Sequence, residues 1–311
     1  MTADRRIRFA VQLSEAPSGE EWTRLARRME SLGYSGISMP DHLWPQFAPI
    51  PALAAVAVAT SRPRITMAVL ANDFRNPVLL AKEAATLDVL SGGRLDLGLG
   101  AGWREDDYRQ AGIAFDRPST RIERLVEAVT IIKRLFEGEQ LTFHGKYYDV
   151  EGYQLTPLPV QRPRPKLVLG GGAPKMLSAA AQHADIVSIV TDNRRRTGRN
   201  QNGNATFEAV DRATGWIAEA APDRFDNLEL NVRILHVNVG ADRSIAAVES
   251  ASTFGLPADE IARSPFCAVG TADQVADHFR SIRNRLGISY FTVSAAAAEA
   301  LAPVVERLTG T

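Results

Sequence analysis

Apolar positions along the chain alternate between two periods. Residues 5–13 read as a strand; residues 20–32 then place Trp22, Leu25, Ala26, Met29 and Leu32 at helical intervals until Gly33 stops them. A short strand over 36–39 is broken by Pro40, an alanine-rich helix covers 51–60 and a third strand covers 65–70. Asn76-Pro77 opens a helix that ends at Ser91. Ser91-Gly92-Gly93 then stops that helix and Leu95, Leu97 and Leu99 alternate with Asp96, Gly98 and Gly100 in a fourth strand. One face of this strand is bulky and the other nearly bare, which suits close approach by other backbone or by a flat ligand.

Residues 120–136 form the clearest amphipathic helix, through Ile122, Leu125, Val126, Val129, Ile132 and Phe136. The rhythm then breaks. A hairpin over 139–149, turning at His144-Gly145, is followed by Pro157, Pro159, Pro163 and Pro165, so that 139–166 reads as an excursion between the fourth and fifth strands. Strands at 167–169, 185–190, 228–239 and 289–293 and helices at 174–182, 207–221, 271–286 and 298–308 complete the alternation. The polar stretch 193–206 reads as mobile. Eight strands alternating with helices over 311 residues predict an α/β fold, a (β/α)8 TIM barrel spanning 1–311 as one domain, with 139–166 inserted in it. An open doubly wound sheet is the alternative. The barrel is preferred because Trp103 stands where a dinucleotide fingerprint needs its third glycine.

Composition narrows the function classes. Lys plus Arg equal Asp plus Glu at 36 each, so no global field draws the chain to nucleic acid or to a membrane surface. The single cysteine, Cys267, excludes an internal disulfide and a cysteine-rich metal site, and reads as a small buried hydrophobe. No apolar run is long enough to cross a bilayer, and the first residues lead into a strand with no secretory apolar region, so the expected location is cytoplasmic. No histidine pair has metal-ligand spacing and no Gly-x-Ser-x-Gly elbow occurs, which argues against metal or serine hydrolysis.

Barrel chemistry is sought at the C-terminal strand ends. Asp41-His42 follows the second strand; an imidazole beside a carboxylate suits proton transfer near neutral pH, or else a loop histidine that caps backbone. Trp44 could wall a ring-binding slot or simply pack. Gly170-Gly171-Gly172-Ala173-Pro174 follows the fifth strand. Pro174 fits the first helical position and Ala173 the cap, which lacks a side-chain acceptor, so the free amides form an anion cradle; a tight turn is the plainer reading. Arg194, Arg195, Arg196 and Arg199 read as a solvated face, with contact to an acidic ligand tail as the second option.

Taken in order, Asp41-His42-Leu43-Trp44, Phe74-Arg75-Asn76-Pro77, Leu97-Gly98-Leu99-Gly100-Ala101-Gly102-Trp103, Gly170-Gly171-Gly172 and Ala184-Asp185 resemble the luciferase-like monooxygenase superfamily. The resemblance runs from about Arg8 to about Val293. Gly270-Thr271-Ala272-Asp273 and Leu286-Gly287-Ile288-Ser289-Tyr290 are most similar to the actinobacterial branch that uses the deazaflavin coenzyme F420. The resemblance implies a barrel with the deazaflavin ring at its mouth, held by Asp41, Trp44, Ala101 and Gly102, and the cofactor phosphate on Gly170, Gly171, Gly172 and Ala173. It implies that His42 serves the chemistry, and that a non-prolyl cis peptide near Ala68-Val69 stands behind the ring. Related sugar-phosphate dehydrogenases carry a glutamate where this chain has Trp103, and Glu105 is out of register. No glutamate acid is therefore assigned, a sugar phosphate is disfavoured, and Trp103 and Gln12 are expected to face the substrate. The leading expectation is an F420-dependent oxidoreductase moving a hydride to or from an organic small molecule. The alternatives are an FMN-dependent monooxygenase using reduced flavin and O2, and a non-catalytic flavin or deazaflavin binder. Expected partners are the small-molecule substrate, a flavin or F420 reductase, and a second copy of the chain in a homodimer.

Overall fold

The computed structural model describes residues 5–191 and 204–309. The arginines at 194–199 and most of the 193–206 stretch lie outside the described residues. In chain order the first elements are β1 (Arg8–Gln12), α1 (Gly19–Ser31), β2 (Gly36–Met39), α2 (Pro49–Ala59), β3 (Arg64–Met67), β4 (Leu70–Ala71), α3 (Pro77–Leu90) and β5 (Leu95–Gly100). Then come α4 (Glu105–Ala111), α5 (Pro118–Phe136), β6 (Gln140–His144), β7 (Asp149–Gln154), β8 (Lys166–Gly171), α6 (Pro174–His183), β9 (Ile186–Ile189) and α7 (Phe207–Ala220). The chain closes with β10 (Glu229–Arg233), β11 (His236–Val239), α8 (Arg243–Phe254), α9 (Ala258–Arg263), β12 (Cys267–Gly270), α10 (Ala272–Leu286), β13 (Ile288–Ser294) and α11 (Ala295–Leu308). The fold is a closed parallel barrel of eight strands with surrounding helices, the (β/α)8 architecture, β3 and β4 counting as two halves of one strand.

Chain contacts divide the protein into two compact units. One consists of Met1–Gln12, Arg28–Gly36 and Gly170–Thr311; the other of Leu13–Arg27 and Ile37–Leu169. In the first, β1, β13, β10 and β9 pair in parallel, with Phe9 opposite Phe291 and Asn231 bridging Ser188 and Tyr290 in register. Phe9, Phe279 and Phe291 pack together on the helix side, so Arg8 and Tyr290 point the other way; there the Arg8 guanidinium lies 3.5 Å from the Tyr290 ring centre and pairs with Glu229. In the second unit, β5 pairs in parallel with β3, β4 and β8.

Local signals explain most boundaries. The Asn76 side chain accepts from the Val78 and Leu79 amides and Pro77, with no N–H, needs no acceptor, so α3 starts there. Gly92 and Gly93, at φ 65° and 82°, turn the chain out of it. Thr271 and Gln274 cap α10 reciprocally and Gly287 ends it in the left-handed region. The hairpin of β6 and β7 is antiparallel and turns at Gly145–Tyr148; Glu127 holds it by accepting from the Lys146 and Tyr147 amides. The proline-rich segment that follows has cis bonds at Thr156-Pro157 and Arg162-Pro163. Its anchor is the buried Asp88, which accepts from the Val160 and Gln161 amides and from the Gln161 side chain.

Three expectations change. The strand expected at 228–239 is two strands. After β10 the Ile234 amide donates to Thr292, but the Leu235 amide donates to Phe266, so β11 leaves the barrel and pairs with β12 in a separate two-stranded parallel sheet. Residues 240–270, where the apolar pattern predicts no element, hold α8, α9 and β12. The strand expected at 65–70 is interrupted between β3 and β4 by a cis peptide at Ala68-Val69, at the position the resemblance implied. Among the described residues, no helix is long and apolar enough to cross a membrane, and no group of three or more His, Cys, Asp or Glu could hold a metal ion.

Candidate active site

Pro40 ends β2, and the next residues turn over the strand end. The carboxylate of Asp41 is fully engaged: it accepts from both Arg75 terminal nitrogens, at 2.5 and 3.1 Å, and from the Ala71 amide at 3.0 Å. It therefore ties the loop after β2 to the end of β4. His42 follows, and its Nδ1 lies 2.7 Å from an oxygen of Asp107, a carboxylate only 3% exposed on α4. The other Asp107 oxygen accepts from Arg104 at 2.6 Å.

Two indoles flank the imidazole. Trp44 lies against its face, with centroids 3.8 Å apart, and Trp103 meets it edge-on at 5.6 Å and 83°. Both stay open to solvent, at 39% and 46% exposure. The Arg104 guanidinium lies 5.2 Å from the Trp44 ring centre. The guanidinium groups of this loop cluster face carboxylates: Arg75 faces Asp41, and Arg104 faces Asp107 and Asp106. The arrangement offers one imidazole with a fixed partner, between aromatic walls.

The bare face of β5 is occupied by the chain itself. A Cβ at Gly98 would stand 1.7 Å from the Met67 carbonyl oxygen, and one at Gly100 would stand 2.7 Å from Val69 Cγ2. Of the two readings open from the sequence, close approach by backbone holds at Gly98. Past the strand, Gly102 has φ 73°, and a Cβ there would meet the Tyr108 hydroxyl at 1.9 Å. That hydroxyl lies 3.3 Å from the Ala101 carbonyl and 3.2 Å from Asp73, which pairs with Arg124; Arg124 also pairs with Asp116. Burial, then the nearby Asp73 charge, pushes the Tyr108 phenol well above its ordinary range, so it stays a donor. Ala101, Gly102 and Trp103 thus sit on a loop pinned from below.

The second glycine-rich strand end, in the other unit, is built from backbone. β8 ends at Gly171, whose carbonyl accepts from the Val190 amide at 3.1 Å. A Cβ at Gly171 would stand 2.4 Å from Met176 Cγ, so this glycine lets α6 pack closely. Ala173 is the cap residue of α6 in extended conformation and makes no side-chain cap bond, with Pro174 at the first helical position, as the sequence indicated. Gln12 ends β1 opposite Ser294.

Asp41, His42, Trp44, Ala68, Val69, Ala101, Gly102 and Trp103 belong to one unit; Gln12 and Gly170–Ala173 belong to the other. Sequence reasoning missed Arg75, Arg104 and Asp107 as site residues. Asp107 sits in the run Glu105-Asp106-Asp107, where only the rotation of α4 tells which carboxylate turns inward; Asp107 and Tyr108 are the two buried residues of that helix.

The sequence model of the luciferase-like monooxygenases matches residues 6–201. The chain belongs to the luciferase-like monooxygenase family. Among curated relatives, it is 32% identical over 188 residues to the F420-dependent glucose-6-phosphate dehydrogenase of Microbacterium testaceum, covering 58% of this chain and 55% of that one. It is equally 32% identical, over 138 residues, to the FMNH2-dependent dimethylsulfone monooxygenase of Pseudomonas putida, covering 44% and 36%. The chain spans less than two thirds of the length of the curated relatives it matches, 61% at most among the first matches. The fold is that of the coenzyme F420-dependent tetrahydromethanopterin reductase from Methanopyrus kandleri, with TM-score 0.75 and 19% identity over 98% of this chain and 99% of that one. Relatives in this luciferase-like family are oxidoreductases and monooxygenases, dependent on F420 or on FMN.

Proposed function

We propose that this luciferase-like chain is an F420-dependent oxidoreductase that moves a hydride between the deazaflavin and an organic small molecule, with His42 handling the accompanying proton. The observation that carries this reading is the imidazole itself. It stands at the end of a barrel strand, anchored through one nitrogen to a buried carboxylate and walled by two exposed indoles. The other ring nitrogen is then available for proton exchange.

The residues present suit the cofactor. The cap residue of α6, Ala173, brings no side-chain acceptor of its own to the helix start, which fits a phosphate group there. Gly170, Gly171, Gly172 and Ala173 would hold that phosphate. Trp44, Ala68, Val69, Ala101 and Gly102 would hold the ring, and Asp41 would set the loop that carries Trp44 and His42. When bound, F420 supplies the carbon that carries the hydride. The chain's own residues do the rest: Trp103 and Gln12 position substrate, Trp44 and Trp103 limit water around the imidazole, and His42 takes up or returns the proton that balances the hydride.

The test is His42→Ala. F420 binding is expected to persist while F420 reduction by a panel of alcohols, or oxidation of reduced F420 by a panel of ketones and enones, is lost. Undiminished turnover in the variant would remove His42 from the chemistry. A second reading, an FMN-dependent monooxygenase fed by a flavin reductase, is supported by the equal identity to the dimethylsulfone monooxygenase. It differs in requiring O2 and reduced FMN for turnover.

A further inference from the structure

Behind His42 a line of hydrogen bonds runs from imidazole to carboxylate to guanidinium, and elementary chemistry fixes its directions. A guanidinium only donates, so Asp107 Oδ1 accepts from Arg104 at 2.6 Å. An ionised carboxylate only accepts, so Asp107 Oδ2 accepts from the His42 Nδ1 proton at 2.7 Å. A neutral imidazole has one proton to place, and here it is placed on Nδ1.

We infer that Asp107, itself oriented by Arg104, is a positioning residue that holds His42 in the Nδ1–H form and leaves Nε2 as the one ring nitrogen able to exchange a proton with substrate. This rests on the reading of His42 as the proton-handling residue. Asp107 and Arg104 are three residues apart across the first turn of α4, and Asp107 is buried while His42 is nearly so. The tautomer is thus set where the loop after β2 meets the first turn of α4. It also gives a reason for an inward carboxylate behind the imidazole: Nδ1 finds its acceptor there, and Trp44 and Trp103 keep the ring from turning.

Asp107→Asn makes the inference sharp because it keeps the shape and changes the donors. Arg104 still requires an acceptor, so it captures the amide oxygen and the amide nitrogen turns to His42. That nitrogen donates, so Nδ1 must give up its proton and the ring must carry it on Nε2. Adding Arg104→Met removes the competing donor, frees the amide to turn over, and allows Nδ1–H again.

The experiment is long-range 1H–15N correlation on the free protein with 15N-histidine, at a pH where the ring is neutral, with the His42 signals assigned by their loss in His42→Asn. The expected results are Nδ1–H in the wild type, Nε2–H in Asp107→Asn and a return to Nδ1–H in the double variant. F420 turnover is expected to fall about 10²–10⁴-fold in the single variant, by analogy with other carboxylate–imidazole pairs. It should recover at least about tenfold in the double variant, since 1.4 kcal/mol of regained stabilisation is that factor. F420 binding should be unchanged. A wild-type ring protonated on Nε2, an Asp107→Asn ring still protonated on Nδ1, or an inverted ring with full turnover would each overturn the inference. The ring signals are read without cofactor or substrate. A wild type inert toward F420 therefore overturns the functional reading alone, and the tautomers still decide the role of Asp107.

Discussion

Two strand ends in this chain are rich in glycine, and they are glycine-rich for different reasons. After β5, Gly98 and Gly100 are bare because the chain occupies the space: the Met67 carbonyl and the Val69 side chain lie where their Cβ atoms would be. Gly102 continues that series with a left-handed φ and a buried Tyr108 hydroxyl beneath it. After β8, Gly171 makes room only for the side chain of Met176, and the helix that follows begins without a cap. The first run is an internal joint, filled by backbone at Gly98 and by side chains at Gly100 and Gly102. The second is a close-packed turn before a helix whose cap residue offers no side-chain acceptor. A glycine cluster therefore does not by itself announce a ligand cradle; what stands opposite each missing Cβ decides.

The contrast can be broken most severely at Gly98. Gly98→Ala sets a methyl 1.7 Å from a carbonyl oxygen that belongs to backbone and cannot turn away. A loss of at least about 4 kcal/mol is expected, as failure to accumulate folded protein or a collapse of the denaturant midpoint. Near-wild-type stability would show that the strand pair opens easily. Gly102→Ala comes next, combining φ 73° with the Tyr108 contact; about 2–3 kcal/mol should be lost in chemical denaturation. Loss of less than about 1 kcal/mol would mean that Tyr108 moves freely.

Gly171→Ala sharpens the comparison, because its obstacle is the near end of a side chain, Met176 Cγ at 2.4 Å and Cβ at 2.9 Å. A cost of about 1–2 kcal/mol is expected, and in a double-mutant cycle with Met176→Ala the part due to Cγ should vanish while the part due to the retained Cβ stays; fully additive costs would place the whole obstacle at the Cβ and backbone. The smallest effect is expected at the cap. Ala173→Asp supplies the missing acceptor and an anion at the start of α6, so stability should rise by about 0.5–1 kcal/mol while F420 binding weakens. Unchanged F420 affinity in a stabilised variant would take the cofactor phosphate away from this turn.

Much of the fold was legible because its signals are local. The apolar stripe of α5, the Asn76-Pro77 start of α3, the Gly92-Gly93 stop and the Thr271 cap each declare an element within a few residues. The region 240–270 was not legible. α8 buries Ala246, Ala247 and Ser250 while exposing Ile245 and Val248, so its stripe is inverted relative to side-chain size. Nor does any local feature mark the exit between β10 and β11, where Ile234 and Leu235 are both apolar and only their hydrogen-bond partners differ. At the site, Asp41-His42 and the glycine runs stood out by residue type. Asp107 did not, since three acidic residues in a row differ only in the direction in which a seven-residue helix turns them. Arg75 and Arg104 were hidden for a related reason: their roles lie in the carboxylates they face, Asp41 across the fold for Arg75 and the inward-turned Asp107 for Arg104.

The central claim is that this luciferase-like chain works with the deazaflavin, and parallel titration of the purified protein with F420 and with FMN, followed by fluorescence quenching, tests it most directly. Saturable F420 binding at least about tenfold tighter than FMN binding, a preference of 1.4 kcal/mol, is the predicted result. FMN binding tighter than F420 binding, or no binding of F420, would contradict it.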